Sequence, residues 1–349
     1  MPKLNANIHL IIDYLKAHPD ASSKEIYDQT SVGLSSYVTL QRLLTDLVKK
    51  NFIVIKGSGK GTKYSVSAAY QVIHEINLED YFKKEIDERL IRKEYNHDLI
   101  KQSLNKINLF TPLELASLNS LQQLYEHKTA ALTDREYKTE LERLAIDLSW
   151  KSSQIEGNTY SLLETERLLK DKETAAGKTK DEAVMLLNHK EAIDFIVEAE
   201  DYVKPLLLPA IEDIHSILVK ELGVERNIRR RTVGISGTNY KPLDNEFQIK
   251  EAMEEVCALV NLKENAFEKA LLVLLLISYI QPFNDGNKRT ARIISNAILM
   301  VNGCCPISFR TVDSLEYKKA MLLFYEQNNV SAFKKIFIDQ FEFACNTYF

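Results

Sequence analysis

Two apolar segments and the short loop between them constrain this chain more than any other feature. The run Ala270 to Ile277 is apolar on every face, and Ile293 to Met300 is again apolar with helical spacing. Between them stands Gln281-Pro282-Phe283-Asn284-Asp285-Gly286-Asn287-Lys288-Arg289-Thr290-Ala291-Arg292. Pro282 lacks an N–H and ends the first helix. Asp285-Gly286 is a turn signal, and Asn287 or Asp285 is expected to cap the second helix. Such a loop aims unpaired N–H groups and the positive end of a helix dipole at whatever lies in front of it, which makes an anion site. Lys288 and Arg289 stand in the first turn, where the dipole opposes positive charge, and Arg292 shares a face with Arg289. A bound phosphate would offset that cost, and Asp285 supplies an oxygen suited to magnesium beside phosphates. The same residues also suit a plain core junction with solvated charges.

The loop resembles the Fic motif, His-Pro-Phe-x-(Asp/Glu)-Gly-Asn-(Gly/Lys)-Arg-x-x-Arg, with Gln281 at the position of the histidine. The resemblance implies a helical core. It also implies transfer of AMP from ATP to a hydroxyl of a target protein; a few relatives, the Doc kinases, transfer phosphate instead. By the same resemblance Asp285 would hold magnesium. Gly286, Asn287, Lys288 and Arg289 would grip the nucleotide phosphates, and Phe283 would anchor the loop in the core. The histidine is the family's general base, so Gln281 puts the reaction itself in question.

At 349 residues the chain is long enough for two or three domains. Its hydrophobic (45%) and charged (27%) fractions are ordinary for a globular protein, and a net charge of −4 gives no global attraction to nucleic acid or membrane. Cys257, Cys304, Cys305 and Cys345 lack metal spacing and read as reduced thiols, and no signal-peptide pattern opens the chain, so a cytoplasmic location is expected.

Residues 1–67 read as a separate domain. Helices are expected around Ile8 to Leu15, after Ser22, and from Ser35 or Ser36 through Val38, Leu40, Leu43, Leu44 and Leu47. Strands follow at 52–55 and 63–66, around the glycine-rich loop 57–61. Three helices and a hairpin resemble a winged helix. Nine cations against five carboxylates give the segment about +4, and Lys56, Lys60 and Lys63 fall on the proposed wing, a footprint for DNA phosphates. Residues 68–108 are expected to link the parts, with an amphipathic helix over 78–104 whose stripe is Leu78, Phe82, Ile86, Leu90 and Ile91. Thr111-Pro112-Leu113-Glu114 then marks a helix start.

Residues 137–156 read as a helix with one buried face, closed by Gly157 and Asn158. Glu156 therefore falls in a last turn, where the dipole disfavours a carboxylate. The segment is similar to the Fic inhibitory motif, (Ser/Thr)-x-x-x-Glu-(Gly/Asn), read as Ser152 and Glu156. The resemblance implies that Glu156 pairs with Arg292 and intrudes where the γ-phosphate of ATP would lie. His189 and His215 show no carboxylate pattern for a metal. In Arg229 to Pro242, Val233, Gly234, Ile235 and Gly237 look like the β-hairpin flap of Fic proteins, which docks a target peptide by strand addition. The basic run at its start would suit an acidic target.

The fold class expected is mostly α. It comprises a Fic-fold core over 109–349 with a small β-hairpin flap and the inhibitory helix 137–156, preceded by an α+β winged helix. The function expected is a nucleotide-binding protein resembling the protein adenylyltransferases, autoinhibited by Glu156 and slowed by Gln281. In a variant of this reading, Glu156 activates water and removes AMP. The alternative is a non-enzymatic, nucleotide-sensing regulator that binds DNA. Expected partners are ATP with Mg2+, a target protein, DNA through residues 1–67 and a second copy of the chain, without a membrane.

Overall fold

The computed structural model describes residues 6–30, 36–199 and 201–349. The chain divides into two compact units, Met1–Glu75 and Ile76–Phe349. Ser35 lies outside the described residues, as does the side chain of Lys60.

The first unit holds α1 (Ala6–Ala17), α2 (Ser23–Thr30), α3 (Tyr37–Lys49), β1 (Ile53–Lys56), β2 (Lys63–Val66) and α4 (Ala68–Ile73). β1 and β2 pair antiparallel with Ile53 opposite Val66, and Ala21 adds a single bridge to Tyr64. Ser36 caps α3 by accepting from the Thr39 N–H. The core is Ile11, Ile12, Leu15, Ile26, Leu40, Leu44, Leu47 and Ile53, while Val38, expected in that core, points to solvent. Two cations of the expected wing are already paired: Lys56 with Asp20 (2.9 Å) and Lys63 with Glu25 (3.4 Å).

The second unit is helical: α5 (Leu78–Phe82), α6 (Pro112–Ala130), α7 (Asp134–Ile155), α8 (Leu162–Asp171), α9 (Lys180–Glu198), α10 (Leu208–Leu218), α11 (Glu246–Leu262), α12 (Ala266–Ile280), α13 (Asn287–Val301), α14 (Ser314–Gln327) and α15 (Ser331–Thr347). From Ala270 to Ile280 every residue of α12 is buried, as an all-round apolar helix requires. α12 and α13 form the most extensive helix pair, and α7, α9 and α10 pack on α13. The loop 281–286 therefore leaves the centre of the core. Capping boxes start α6 (Thr111 with Glu114), α7 (Thr133 with Glu136) and α8 (Ser161 with Glu164). No helix among the described residues is long and apolar enough to cross a membrane.

The structure departs from two of these expectations. The helix over 78–104 is absent beyond α5; the chain continues as an irregular strap to a π-helical turn at Leu99–Ser103, and Leu90 is 83% exposed. The strap's polar groups are taken by the core. Arg89 binds the buried Glu326 carboxylate and the Gly237 carbonyl. The Arg92 N–H donates to the Glu326 carbonyl, and the Asn96 N–H to the Tyr279 hydroxyl. Those tertiary bonds replace the local ladder that a helix would need.

The flap hairpin is also absent: residues 232–235 and 238–245 carry no strand pairing, and β1–β2 is the sheet among the described residues. Its backbone and side chains are bonded elsewhere. The Arg229 N–H donates to the Pro282 carbonyl and the Lys241 N–H to the Lys93 carbonyl. Arg229, expected to face a target, is fully buried; its guanidinium donates to the carbonyls of Gln281 (2.6 Å), Arg231 (2.8 Å), Leu243 and Ile280 (3.4 Å). One side chain thus fastens the segment to the end of α12. Arg229→Ala would leave several buried acceptors unsatisfied, at about 1–3 kcal/mol each. Urea denaturation should report a loss on the order of 3 kcal/mol or more; a loss below about 0.5 kcal/mol, typical of a surface site, would contradict this role.

Candidate functional site

The loop after α12 is built by its own residues. Gln281 caps α12 in a left-handed conformation (φ 53°). Its Nε2 donates to the Ser278 carbonyl (2.6 Å) and its Oε1 accepts from Asn287 Nδ2 (3.1 Å). Phe283 is fully buried and stacks on His215, with ring centroids 3.6 Å apart. The His215 ring lies between the carbonyls of Arg226 (3.1 Å) and Asp285 (2.9 Å), so it holds the loop from below; burial lowers its pKa. Gly286 has φ 81°, and a Cβ there would press on Val219 and His215 at 3.2–3.3 Å, so both conformation and space demand glycine.

Gly286 is the N-cap of α13 and supplies no side-chain cap. Asn287, expected to cap or to cradle phosphate, instead ties the loop together. Its Oδ1 accepts from the Phe283 N–H and its Nδ2 donates to the Phe283 carbonyl, both at 2.8 Å. What Asn287 still offers an anion is its backbone N–H, beside those of Lys288 and Arg289, none of which has an intrahelical acceptor.

The loop opens on a cleft of about 180 Å³ lined by Glu156, Val233, Gly234, Gln281, Asn284, Asp285, Gly286, Asn287, Lys288 and Arg289. Residues of the motif, the end of α7 and the flap segment therefore meet in one place, while Ile235 and Gly237 lie outside the lining. A larger hollow of about 890 Å³ lies between α7 and α8, away from this chemistry and lined by mixed charges. Arg289 is buried; it donates to Asp285 Oδ2 (2.9 Å), and its Nε has no partner. An unpaired buried donor is what an anion in the cleft would satisfy. The Asp285 side chain is 64% exposed. No cluster of three metal-binding side chains exists among the described residues. A lone carboxylate of this kind fits magnesium only when substrate phosphates complete its shell.

Across the cleft stands the end of α7. Gly157, at φ 103°, turns the chain, and the Asn158 N–H returns to the Ser153 carbonyl. This places Glu156 between two cations: Oε1 lies 2.9 Å from Arg292 Nη2 and Oε2 lies 3.0 Å from Lys288 Nζ. Arg292 is fully buried. Its Nε donates to Ser152 Oγ (2.8 Å), its Nη2 also to the Ser152 carbonyl (3.0 Å), and its Nη1 to the Tyr317 hydroxyl (3.1 Å). Ser152 Oγ also lies 2.7 Å from Nε2 of the buried His189. Sequence reasoning named Ser152, Glu156 and Arg292 but missed His189, Tyr317, His215 and the second clasp from Lys288. His189 had a signal: it interrupts the apolar stripe Ala183, Leu186, Ile193 and Ile196 of α9, and a polar side chain on such a face needs a buried partner.

An α-helical core whose central loop offers N–H groups without intrahelical acceptors and an orphaned arginine donor has the donors that an anion would need. Residues 205–299 match the Fic/DOC family, and the chain carries a Fic/DOC domain. It is 31% identical over 179 residues to a protein adenylyltransferase Fic of Nematostella vectensis, covering 48% of this chain and 40% of that protein. It is 26% identical over 215 residues to protein adenylyltransferase fic-1 of Caenorhabditis elegans, covering 58% and 40%. The match thus spans about two fifths of the length of these relatives. Among solved structures it resembles Fic-1 of C. elegans, with TM-score 0.59 and 20% identity over 68% of this chain and 72% of that one. It also resembles a Fic domain containing signaling protein of Bacteroides thetaiotaomicron, with TM-score 0.56 and 19% identity over 66% and 94%. The second unit therefore has the Fic fold.

Burial alone would raise the Glu156 pKa, but the charges of Arg292 and Lys288, with their hydrogen bonds, hold it at about 2. A depressed carboxyl stabilises the fold fully above its unfolded value, roughly 4.3, and loses that contribution as pH falls toward the folded value. Carboxyl-carbon NMR should find Glu156 titrating at about 2. The stability gap between the parent and Glu156→Gln should close as pH drops through this window. A midpoint near the unfolded value would mean that the clasp is not formed.

Proposed function

We propose that this chain is an autoinhibited Fic-type nucleotide-binding protein with the chemistry of protein adenylyl transfer. The observation that carries the proposal is the Glu156–Arg292 ion pair across the α13 loop. It joins the two segments that the sequence resemblance paired, beside a cleft lined with phosphate-binding groups.

In this reading ATP lies with its phosphates on the N–H groups of Asn287, Lys288 and Arg289. Arg289 Nε supplies a further donor. Asp285 would hold Mg2+ together with those phosphates, and the ion supplies neutralisation of phosphate charge. A target hydroxyl attacks the α-phosphorus; the new O–P bond forms as the bond to the β-phosphate oxygen breaks, pyrophosphate leaves and the hydroxyl proton goes to solvent. Gln281 cannot take that proton. Both ends of its amide are engaged, at Ser278 and Asn287, and it has only a second Oε1 lone pair to offer the hydroxyl. Loss of a general base costs roughly 10²–10⁴ in rate, so the transfer is slow rather than forbidden. Val233 and Gly234 at the cleft would face the target segment.

Removal of AMP with Glu156 as base is disfavoured. A carboxylate held at about 2 between two cations is far from the pKa near 7 that suits a base at neutral pH. The rival reading, a DNA-binding regulator, draws on the three helices and hairpin of the first unit. Lys56 and Lys63 are paired with carboxylates there, which reduces the charge free for a DNA backbone.

Calorimetry of ATP with magnesium tests the proposal. Glu156→Gly frees Arg292 and Lys288 for phosphate, and charge-assisted hydrogen bonds of this kind correspond to roughly 10–100-fold in affinity. Equal affinity in the two proteins would remove the inhibitory role of Glu156.

A further inference from the structure

We propose that His189 is the positioning residue of the inhibitory clasp: its neutral imidazole accepts a hydrogen bond from the Ser152 hydroxyl, which turns the Ser152 oxygen toward Arg292 and so fixes the guanidinium that holds Glu156. The inference rests on the reading that Glu156 restrains nucleotide binding.

The proton assignment follows from the partners. Ser152 Oγ lies 2.8 Å from Arg292 Nε, and an arginine can only donate, so the oxygen accepts there. Its own proton then needs another acceptor. Among the described residues the one in reach is His189 Nε2, at 2.7 Å. His189 therefore carries its proton on Nδ1, and Nδ1 has no partner. Burial first, and then the nearby charges of Arg292 and Arg289, keep the ring neutral.

Packing does not account for a histidine at this place. Its neighbours on the buried face of α9 are Ala183, Leu186, Ile193 and Ile196. A leucine would fill the stripe without leaving a buried N–H unpaired, an omission that costs stability. What histidine adds is the acceptor at Nε2. Without it, the Ser152 hydroxyl is free to turn toward its own helix carbonyl four residues back, as buried helical serines do. Arg292 Nε then loses a fixed partner, and the guanidinium is no longer aligned on Glu156. His189 touches neither cleft nor nucleotide site; it acts through Ser152.

Calorimetry with ATP and magnesium on the full chain separates the possibilities. His189→Leu should bind ATP about two- to tenfold more tightly than the parent, the value of one hydrogen bond. His189→Gln, whose Oε1 reaches as far as Nε2, should behave as the parent. In a Glu156→Gly background His189→Leu should change nothing, because the clasp it aligns is gone. A purely structural role would leave affinity unchanged or lower it, equally in both backgrounds, and would overturn the proposal. If Glu156→Gly itself fails to tighten binding, the autoinhibition reading falls and takes this inference with it; if Glu156→Gly tightens and His189→Leu does not, only this inference falls. Nitrogen NMR of the parent protein gives an independent result should His189→Leu not fold: protonation at Nδ1 is expected, and protonation at Nε2 overturns the assignment.

Discussion

A fully buried guanidinium must be neutralised inside the protein, and the geometry around Arg292 follows from that demand. Moving such a charge out of water costs several kcal/mol, and removing a partner from a buried pair costs about 3–5 kcal/mol. Glu156 supplies the opposing charge, while Ser152 and Tyr317 satisfy the remaining donors. The carboxylate sits in the last turn of α7, where the helix dipole is unfavourable to it. The ion pair offsets that cost, and in doing so pins the end of α7 over the first turn of α13. In the proposed reading the same constraint creates the regulation: whatever releases Glu156 would have to give Arg292 and Lys288 another anion, taken in the cleft beside them.

The rest of the second unit holds that arrangement rigid. α12 is buried on all sides, so its C-terminus cannot shift without disturbing the core. His215 stacks on Phe283 and holds the Asp285 carbonyl, Gly286 allows their close approach, and Asn287 closes the loop on itself. Arg229 fastens the flap segment to the same helix end. The N–H groups at the start of α13 are therefore preorganised, and little reordering would accompany the proposed binding of phosphate.

Features set by local rules were legible in the chain. The apolar run and Pro282 marked the end of α12, Thr111 with Glu114 marked the start of α6, and Gly157 marked the end of α7. The pairing of Ser152 and Glu156 with Arg292 was accessible only through the family resemblance, because no local rule joins residues 136 positions apart. The failures share one cause. Residues 78–104 have helical periodicity, yet the core claims their polar groups and the chain runs as a strap. The flap segment alternates like a strand, yet its donors go to Pro282 and Lys93. Arg229 reads as surface charge because composition cannot show four carbonyls converging on one guanidinium. The role of His189 has no spacing signature, because its partner is a serine on another helix.

In the proposed function two independent blocks hold the chemistry down, one on proton removal at Gln281 and one on phosphate placement at Glu156. Intact-mass measurement of the full chain with ATP and magnesium, alone and with cell extract proteins, tests it directly across the parent, Gln281→His, Glu156→Gly and the double variant. Substantial addition of AMP, to the chain itself or to another protein, is expected only in the double variant, with slow labelling by Glu156→Gly alone. Transfer by the parent protein as fast as by the double variant would contradict it.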